Sequence, residues 1–561
     1  MDSAGSPTCS FPIWDKAGKW LKGDVALLDD EQRSYSKDAE MLNIKDITRL
    51  LILVAVCSVA VGNPCSLRGQ GNGAETQTAK AHTKQPPNIL FIYLDDLGYG
   101  DVSCLNPESK IATPNIDRLA NEGMSFTDAH TPAPICGPSR YGLLTGQYPW
   151  RSRAGGVDNG GTFDELRIKP DRSTIAKMLR NHGYNTAQMG KWGLRENYSA
   201  ALREGVLTMV DKTSFDFIQK RLLGANLCGF GYAWSLPHLS AEKNDKYVFE
   251  NGRPTGVNYS PVLEKHGKAN PPFQPIRKYE DVLPDNTGAV IEYLDVYAGV
   301  KDRPELKLDR QKPFFVYWDP PSPHEPIVPN RGFIGKTEAG DYGDFVFEID
   351  HCIGRVLEVL KKNGLEENTI VVVSSDNGPE NLAYERIKKY RHYSMGALRG
   401  LKRDSWEGGT RVPFIVKWSG KIAPGSVCKT PIGVIDTFST IAEITGITLG
   451  EQDAPDSISF LPLLLGQNPK RGRPPMIYHT SANMAIREGD WVYFEKTGMG
   501  SVEPGWFREE RGVKSFAKDG PELFNLKTDP QQLKNLASDM PERVNELKAE
   551  LGRLREAGRI R

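Results

Sequence analysis

The sequence has no charge excess and little cysteine, and its one markedly apolar N-terminal run is too short to span a bilayer. Its 561 residues carry 71 Lys and Arg against 71 Asp and Glu, so the polycation footprint of a nucleic-acid-coating protein is missing. Local anion sites are the only ones this balance leaves open. The 8 cysteines are irregularly spaced and include no CxxC pair, which suggests neither a disulfide scaffold nor a zinc ribbon. No internal repeat is visible. What is plentiful is glycine and proline, 55 and 39 residues, beside 39% apolar residues. That mixture describes a loop-rich globular protein, long enough for one large domain or a few ordinary ones.

The apolar run extends from Leu50 to Val61 and follows Lys45 and Arg49. A transmembrane helix needs roughly 20 residues, and this run is shorter and closes in Ala60-Val61-Gly62, an A-x-A-like cleavage site. Residues 41–62 are therefore expected to be a secretory signal, with an anchoring or buried helix as the competing reading. Met41 is then the expected start and residues 1–40 a non-native extension. A lipid anchor on Cys57 or Cys65 is the weaker alternative, since neither follows a good lipobox. Residues 63–86 are polar and read as a flexible tether. The mature chain is expected in the periplasm or outside the cell, without an integral membrane segment.

The folded part opens with Asn88 to Leu94, a continuous apolar run of the kind buried on both faces of a parallel sheet. Similar runs are Pro313 to Trp318, Thr369 to Ser374 and Pro413 to Trp418. Helices are expected after Thr113-Pro114 and Thr174, both read as N-caps, and over the periodic Val346, Ile349, Ile353, Val356, Leu357 and Leu360. Alternating strands and helices imply an α/β domain with a mainly parallel sheet over residues 87–430. Residues 431–561 change in texture and read as a smaller C-terminal α+β subdomain. Ligands belong beyond the carboxyl ends of the parallel strands.

Two clusters stand at such ends. Asp95-Asp96 follows the first strand, and Asp376-Asn377 closes a later one. Four oxygen donors converging from two strands make a hard-cation site, favouring calcium or magnesium over zinc, although either cluster alone reads equally well as a turn. Cys136 precedes Pro138 at the start of an expected helix that Gly146 stops. Its position favours a negatively charged nucleophile, whereas most lone cysteines are small buried hydrophobes.

Cys136-x-Pro138-Ser139-Arg140-x-x-Leu143-Leu144-Thr145-Gly146 resembles the modification motif of the type I sulfatases, in the alkaline phosphatase-like superfamily. Companion elements follow in the family's order: Gly190-Lys191-Trp192, Pro323-His324, Ser375-Asp376-Asn377-Gly378, Leu398 to Lys402 and Glu407-Gly408-Gly409. The likeness covers about residues 86 to 550. It implies an alkaline phosphatase-like sheet flanked by helices, and a sulfuric ester hydrolase acting on a sulfated carbohydrate or an aryl sulfate. It further implies that a separate maturation enzyme oxidises Cys136 to formylglycine, whose hydrate attacks sulfur. Asp95, Asp96, Asp376, Asn377 and the modified Cys136 would hold calcium, or magnesium. Arg140 would orient the nucleophile, Lys191, His324 and Lys402 would grip the sulfate, and His324 or Lys402 would protonate the leaving alkoxide.

One departure concerns the last step. Many relatives read Gly-Lys-Trp-His, and that histidine helps the hemiester collapse; here the position is Gly193. His238 and His392 are the weak substitutes. A basic stretch of Arg386, Lys388, Lys389, Arg391, His392, Arg399 and Arg403 reads either as a pocket mouth for a polyanionic substrate or as a solvated loop. Phe230 to Trp234 reads as a sugar-stacking platform or as core. Two rivals remain: a formylglycine-dependent phosphodiester or phosphonate monoester hydrolase, and a catalytically silent anion- or glycan-binding homologue.

Overall fold

A computed structural model describes residues 11–14, 20–23, 86–152, 166–194, 224–236, 246–260, 276–469, 472–480, 483–513 and 520–561. The chain divides into two units, Met1–His82 and Thr83–Arg561. In the first, Phe11–Trp14 pairs antiparallel with Trp20–Gly23. The expected signal, most of the tether and His238 lie outside the described residues. No helix among the described residues is long and apolar enough to cross a membrane.

Eleven strands of the second unit form one sheet. In chain order they are β1 (Asn88–Leu94), β2 (Met124–Phe126), β3 (Asn185–Lys191), β4 (Tyr232–Leu236), β5 (Lys246–Glu250), β6 (Arg253–Ser260), β7 (Ile276–Lys278), β8 (Phe314–Asp319), β9 (Thr369–Ser375), β10 (Phe414–Lys417) and β11 (Ser426–Cys428). Across the sheet they run β7-β6-β5-β4-β3-β8-β1-β9-β10-β2-β11. The five central strands, β4 to β9 in that order, are all mutually parallel. Antiparallel pairings flank them on both sides.

The apolar strand runs explain this arrangement. Every residue of β1 and β9 is buried, which only a central strand covered on both faces allows. Alternate side chains of β1 serve two cores. Ile89, Phe91 and Tyr93 face one, with helices α2 (Cys136–Thr145), α3 (Ile175–Asn181) and α7 (Thr437–Ile444). Leu90, Ile92 and Leu94 face the other, with α1 (Pro114–Glu122), α4 (Val282–Ala298) and α5 (Gly340–Lys362). The in-phase register sets Leu94 beside Ser375 and Ile92 beside Trp318, so the carboxyl ends of these strands share one edge.

Helix boundaries follow local chemistry at some ends and remote contacts at others. Thr174 caps α3 by accepting from the Lys177 amide at 3.0 Å, and Gly146, at φ +60°, stops α2. Thr113 does not cap α1 with its side chain. Asp350 of α5 accepts from the Asn115 and Ile116 amides instead, at 3.0 and 2.8 Å, satisfying orphan donors of the first turn. Phe230 and Tyr232 are buried, and Phe230 stacks on Phe315 and Tyr317; these two rings are core. A second, four-stranded antiparallel sheet follows, β12 (Met476–His479), β13 (Met484–Glu488), β14 (Trp491–Phe494) and β15 (Glu522–Asn525), with α8 (Pro541–Glu556) packed on it.

Candidate active site

The shared edge of β1, β3, β8 and β9 gathers the polar residues that these strands release. Asp95 and Asp96 leave β1, with Asp96 at φ +67°. The turn is pinned from both sides: the Asp95 amide donates to Ser322 O at 3.1 Å and the Asp96 amide to Asp376 Oδ1 at 3.1 Å. Cys136 begins α2, and its Sγ lies 3.8 Å from Asp96 Oδ1 and 3.9 Å from Lys191 Nζ. Lys191, closing β3, pairs with Asp95. Lys402 Nζ pairs with Asp96 at 2.7 Å, and His324 Nε2 stands 3.6 Å from the same carboxylate. Asn377 Nδ2 donates to Asp96 Oδ1 at 2.7 Å. Arg140, wholly buried, sets Nε 3.1 Å and Nη2 2.9 Å from Asp376 Oδ2. All nine residues singled out in the sequence thus converge.

Their electrostatics are set by burial against close opposite charge. Burial raises the Asp95 carboxyl, but Lys191, His324, Arg140 and Lys402 together hold it well below the ordinary range. Asp96 is likewise lowered, with burial opposed by Lys402 and His324. Burial pulls Lys191 and Lys402 down, and their carboxylates raise both above an ordinary lysine. Asp376 moves the other way, pushed up by burial and by Cys136 and Asp95 despite Arg140. Burial lowers His324, reinforced by Lys191.

Burial raises the Cys136 thiol, and Asp95 and Asp96 add to that, while Lys191 and Lys402 beside it act the other way.

The donor set fits a divalent cation. Asp95 Oδ1 and Asn377 Oδ1 are buried without a hydrogen-bond partner, and such atoms are costly unless something else engages them. Ligand atoms of Asp95, Asp96, Cys136 and His324 all lie within 4.8 Å of one another. A second acidic group, Asp128, His130 and Glu407, is equally tight, but Arg411 and Arg487 already fill it with ion pairs.

Some sequence expectations give way. Arg386, on α6 (Ala383–Tyr390), is buried on Glu380 at 2.7 Å, His392 on Asp101 at 2.7 Å and Arg399 on Glu503 at 2.9 Å. The two arginines form internal ion pairs and His392 is engaged by Asp101, so these three do not line a mouth, and His392 is taken up away from the place of the missing histidine. Lys388, Lys389, Arg391 and Arg403 remain exposed. Sequence reasoning also missed Asp319, buried at the end of β8 with Oδ2 3.5 Å from Arg140 Nη1. Its signal was available: like Asp95, it is an acid ending an apolar strand.

The sulfatase family model matches residues 87–447. The chain belongs to the sulfatase family. Across nearly its whole length this sulfatase resembles an N-acetylgalactosamine-6-O-sulfatase of Bacteroides thetaiotaomicron, 31% identical over 535 residues, which cover 90% of this chain and 98% of the relative. An N-acetylgalactosamine-6-sulfatase of Mus musculus is 30% identical over 421 residues, 73% and 72% of the two chains. A solved structure from the metabolism of multiple glycosaminoglycans by Bacteroides thetaiotaomicron superposes with TM-score 0.67 at 28% identity, covering 84% of this sulfatase and 99% of that chain. A phosphonate monoester hydrolase of Agrobacterium radiobacter shares the fold at TM-score 0.53 and 17% identity, over 84% and 96% of the two chains. The sulfatase is a type I enzyme, with the α/β sheet and C-terminal antiparallel sheet expected of it.

Proposed function

We propose that this sulfatase removes sulfate from a sulfated carbohydrate, by hydrolysis to the free hydroxyl and inorganic sulfate. The near full-length likeness to an N-acetylgalactosamine-6-O-sulfatase supports the carbohydrate class. The single observation that carries the chemistry is Cys136 Sγ set between Asp96 and Lys191 at 3.8 and 3.9 Å. Oxidised to formylglycine by a separate maturation enzyme and hydrated, Cys136 supplies the attacking hydroxyl. Asp95, Asp96, Asp376 and Asn377 would hold calcium, or magnesium, which when bound supplies Lewis acidity.

The remaining work falls to fixed side chains. Arg140, held by Asp376, would orient the hydrated nucleophile and offset charge there. Lys191 and Lys402, kept protonated by Asp95 and Asp96, grip the sulfate oxygens with His324 and stabilise charge as the S–O bond opens. Lys402 or His324 gives the proton to the departing alkoxide. The protein is exported through the signal at residues 41–62.

Two measurements test this reading. Mass spectrometry of the peptide spanning Cys136, after expression with a maturation enzyme, should show the thiol converted to an aldehyde; failure alongside a converting control sulfatase sinks the mechanism. Rates on an aryl sulfate and an aryl phosphodiester separate sulfatase from phosphodiesterase action, and a preference for phosphorus overturns the assignment.

A further inference from the structure

A fully buried guanidinium must have its donors aimed by the protein, because water cannot do it. Arg140 Nε and Nη2 face Asp376. Nη1 donates to the Lys191 carbonyl at 3.0 Å and stands 3.5 Å from both Asp319 Oδ2 and Tyr317 Oη. Asp319 belongs to none of the sulfatase motifs in the chain, yet it is itself anchored. Its Oδ1 accepts from Gln188 Nε2 at 2.8 Å, and Gln188 Oε1 accepts from the Ser235 hydroxyl at 2.5 Å. The relay therefore crosses three neighbouring strands, from Ser235 on β4 through Gln188 on β3 to Asp319 on β8, and ends on the α2 arginine.

Two glycines make room for it. Gly190, at φ +134°, lets the Asp319 carbonyl come so close that a Cβ there would lie 2.0 Å from it. At Gly193 a Cβ would lie 2.7 Å from Arg140 Cδ. The arginine thus occupies space that a side chain at position 193 would need.

We propose that Asp319 is a positioning residue of this sulfatase, which with Gln188 and Ser235 behind it holds Arg140 in register with the nucleophile. Burial pushes the Asp319 carboxyl well above the ordinary range, against Arg140 and Gln188. Both oxygens of the acid face donors, Gln188 Nε2 and Arg140 Nη1, and asparagine keeps its outline with one acceptor of the two. The inference rests on the role proposed above for Arg140.

The test uses mature enzyme with aldehyde occupancy at position 136 measured in each variant, so that turnover is counted per active site. On the role proposed for Arg140, Asp319→Ala should lower kcat at least about tenfold with KM within about threefold, while Asp319→Asn, which keeps one of the two acceptors, should lose clearly less. Gln188→Met, which leaves all charges in place, should lower kcat at least about threefold, and decides the matter if Asp319→Ala yields no folded protein. A merely structural role would lower the Tm and leave kcat per site unchanged, and that result overturns the proposal. So does an Asp319→Asn variant as slow as Asp319→Ala. A crystal structure of Asp319→Ala gives a readout free of activity: the guanidinium should shift by about 1 Å or more, a displacement large enough to matter for catalysis, and an unmoved Arg140 overturns the proposal. A parent enzyme inactive on sulfate esters would defeat the proposed function while leaving this positional readout intact.

Discussion

The Cβ that any residue but glycine would carry at position 193 falls 2.7 Å from Cδ and 3.0 Å from Nε of Arg140. The backbone there sits at φ +64°, where an L side chain costs roughly 1–2 kcal/mol. The family histidine cannot simply be put back. Gly193→His is expected to lower kcat/KM by about tenfold or more, since it must displace the arginine that aligns the nucleophile. Gly193→Ala should show a smaller version of the same loss. Steady-state kinetics on an aryl sulfate check both, and a histidine variant faster than the parent would show that Arg140 yields its place freely.

Asp95 Oδ1 and Asn377 Oδ1, buried without a hydrogen bond, lead to a second expectation. Exhaustive chelation should abolish sulfatase activity, and calcium or magnesium should restore it. Calorimetry gives an independent readout, because an ion at a hundredfold its dissociation constant adds about 2.7 kcal/mol to the folded state. Asp376→Asn should blunt that gain in Tm. A Tm indifferent to chelator, calcium and magnesium alike would show that these donors hold no ion.

The parts of the fold that were legible in the sequence are those decided locally. β1 and β9 are continuous apolar runs, and no other environment buries Asn88–Leu94 or Thr369–Ser375 on two faces. The carboxylates that follow them inherit their place from the strands, so the Asp95-Asp96 and Asp376-Asn377 pairing could be read before any contact was known. What was not legible depends on partners remote in sequence. Arg399 looks like a surface cation until Glu503, 104 residues away, buries it. Thr113 looks like a cap until Asp350, on another helix, takes that work.

Asp128, just beyond β2, and Arg487 form one of the bonds that tie the C-terminal sheet to the rest of the fold. Arg487 of β13 donates from Nη1 and Nη2 to the two Asp128 oxygens at 2.7 and 2.6 Å, with His130 and Glu407 closing the network. Arg487→Met leaves a largely buried carboxylate short of one of its two arginine partners and should cost up to about 3–5 kcal/mol in denaturant unfolding. Pairing it with Asp128→Asn should cost less than the sum of the two single changes, because they share one interaction. Additive losses would mean that the two residues stabilise the protein separately.

Glu348 of α5 supplies the pH dependence most accessible to measurement. Its Oε2 accepts from the Asn330 amide at 2.8 Å, in the segment that follows His324, while its buried Oε1 has no hydrogen-bond partner. Burial pushes the carboxyl up to about 7. The folded state therefore binds this proton more tightly than the unfolded chain, whose glutamate titrates near the ordinary value of about 4.3. Its contribution to stability is complete below the unfolded value and is lost as pH rises through the folded one. Glu348→Gln keeps the acceptor for Asn330 and removes the ionisation. The variant should match the parent below about pH 4 and exceed it at pH 8 by on the order of 3 kcal/mol. Tm measured in steps across that interval gives the answer; a difference that stays constant with pH would place the neutral-to-charged transition of Glu348 elsewhere.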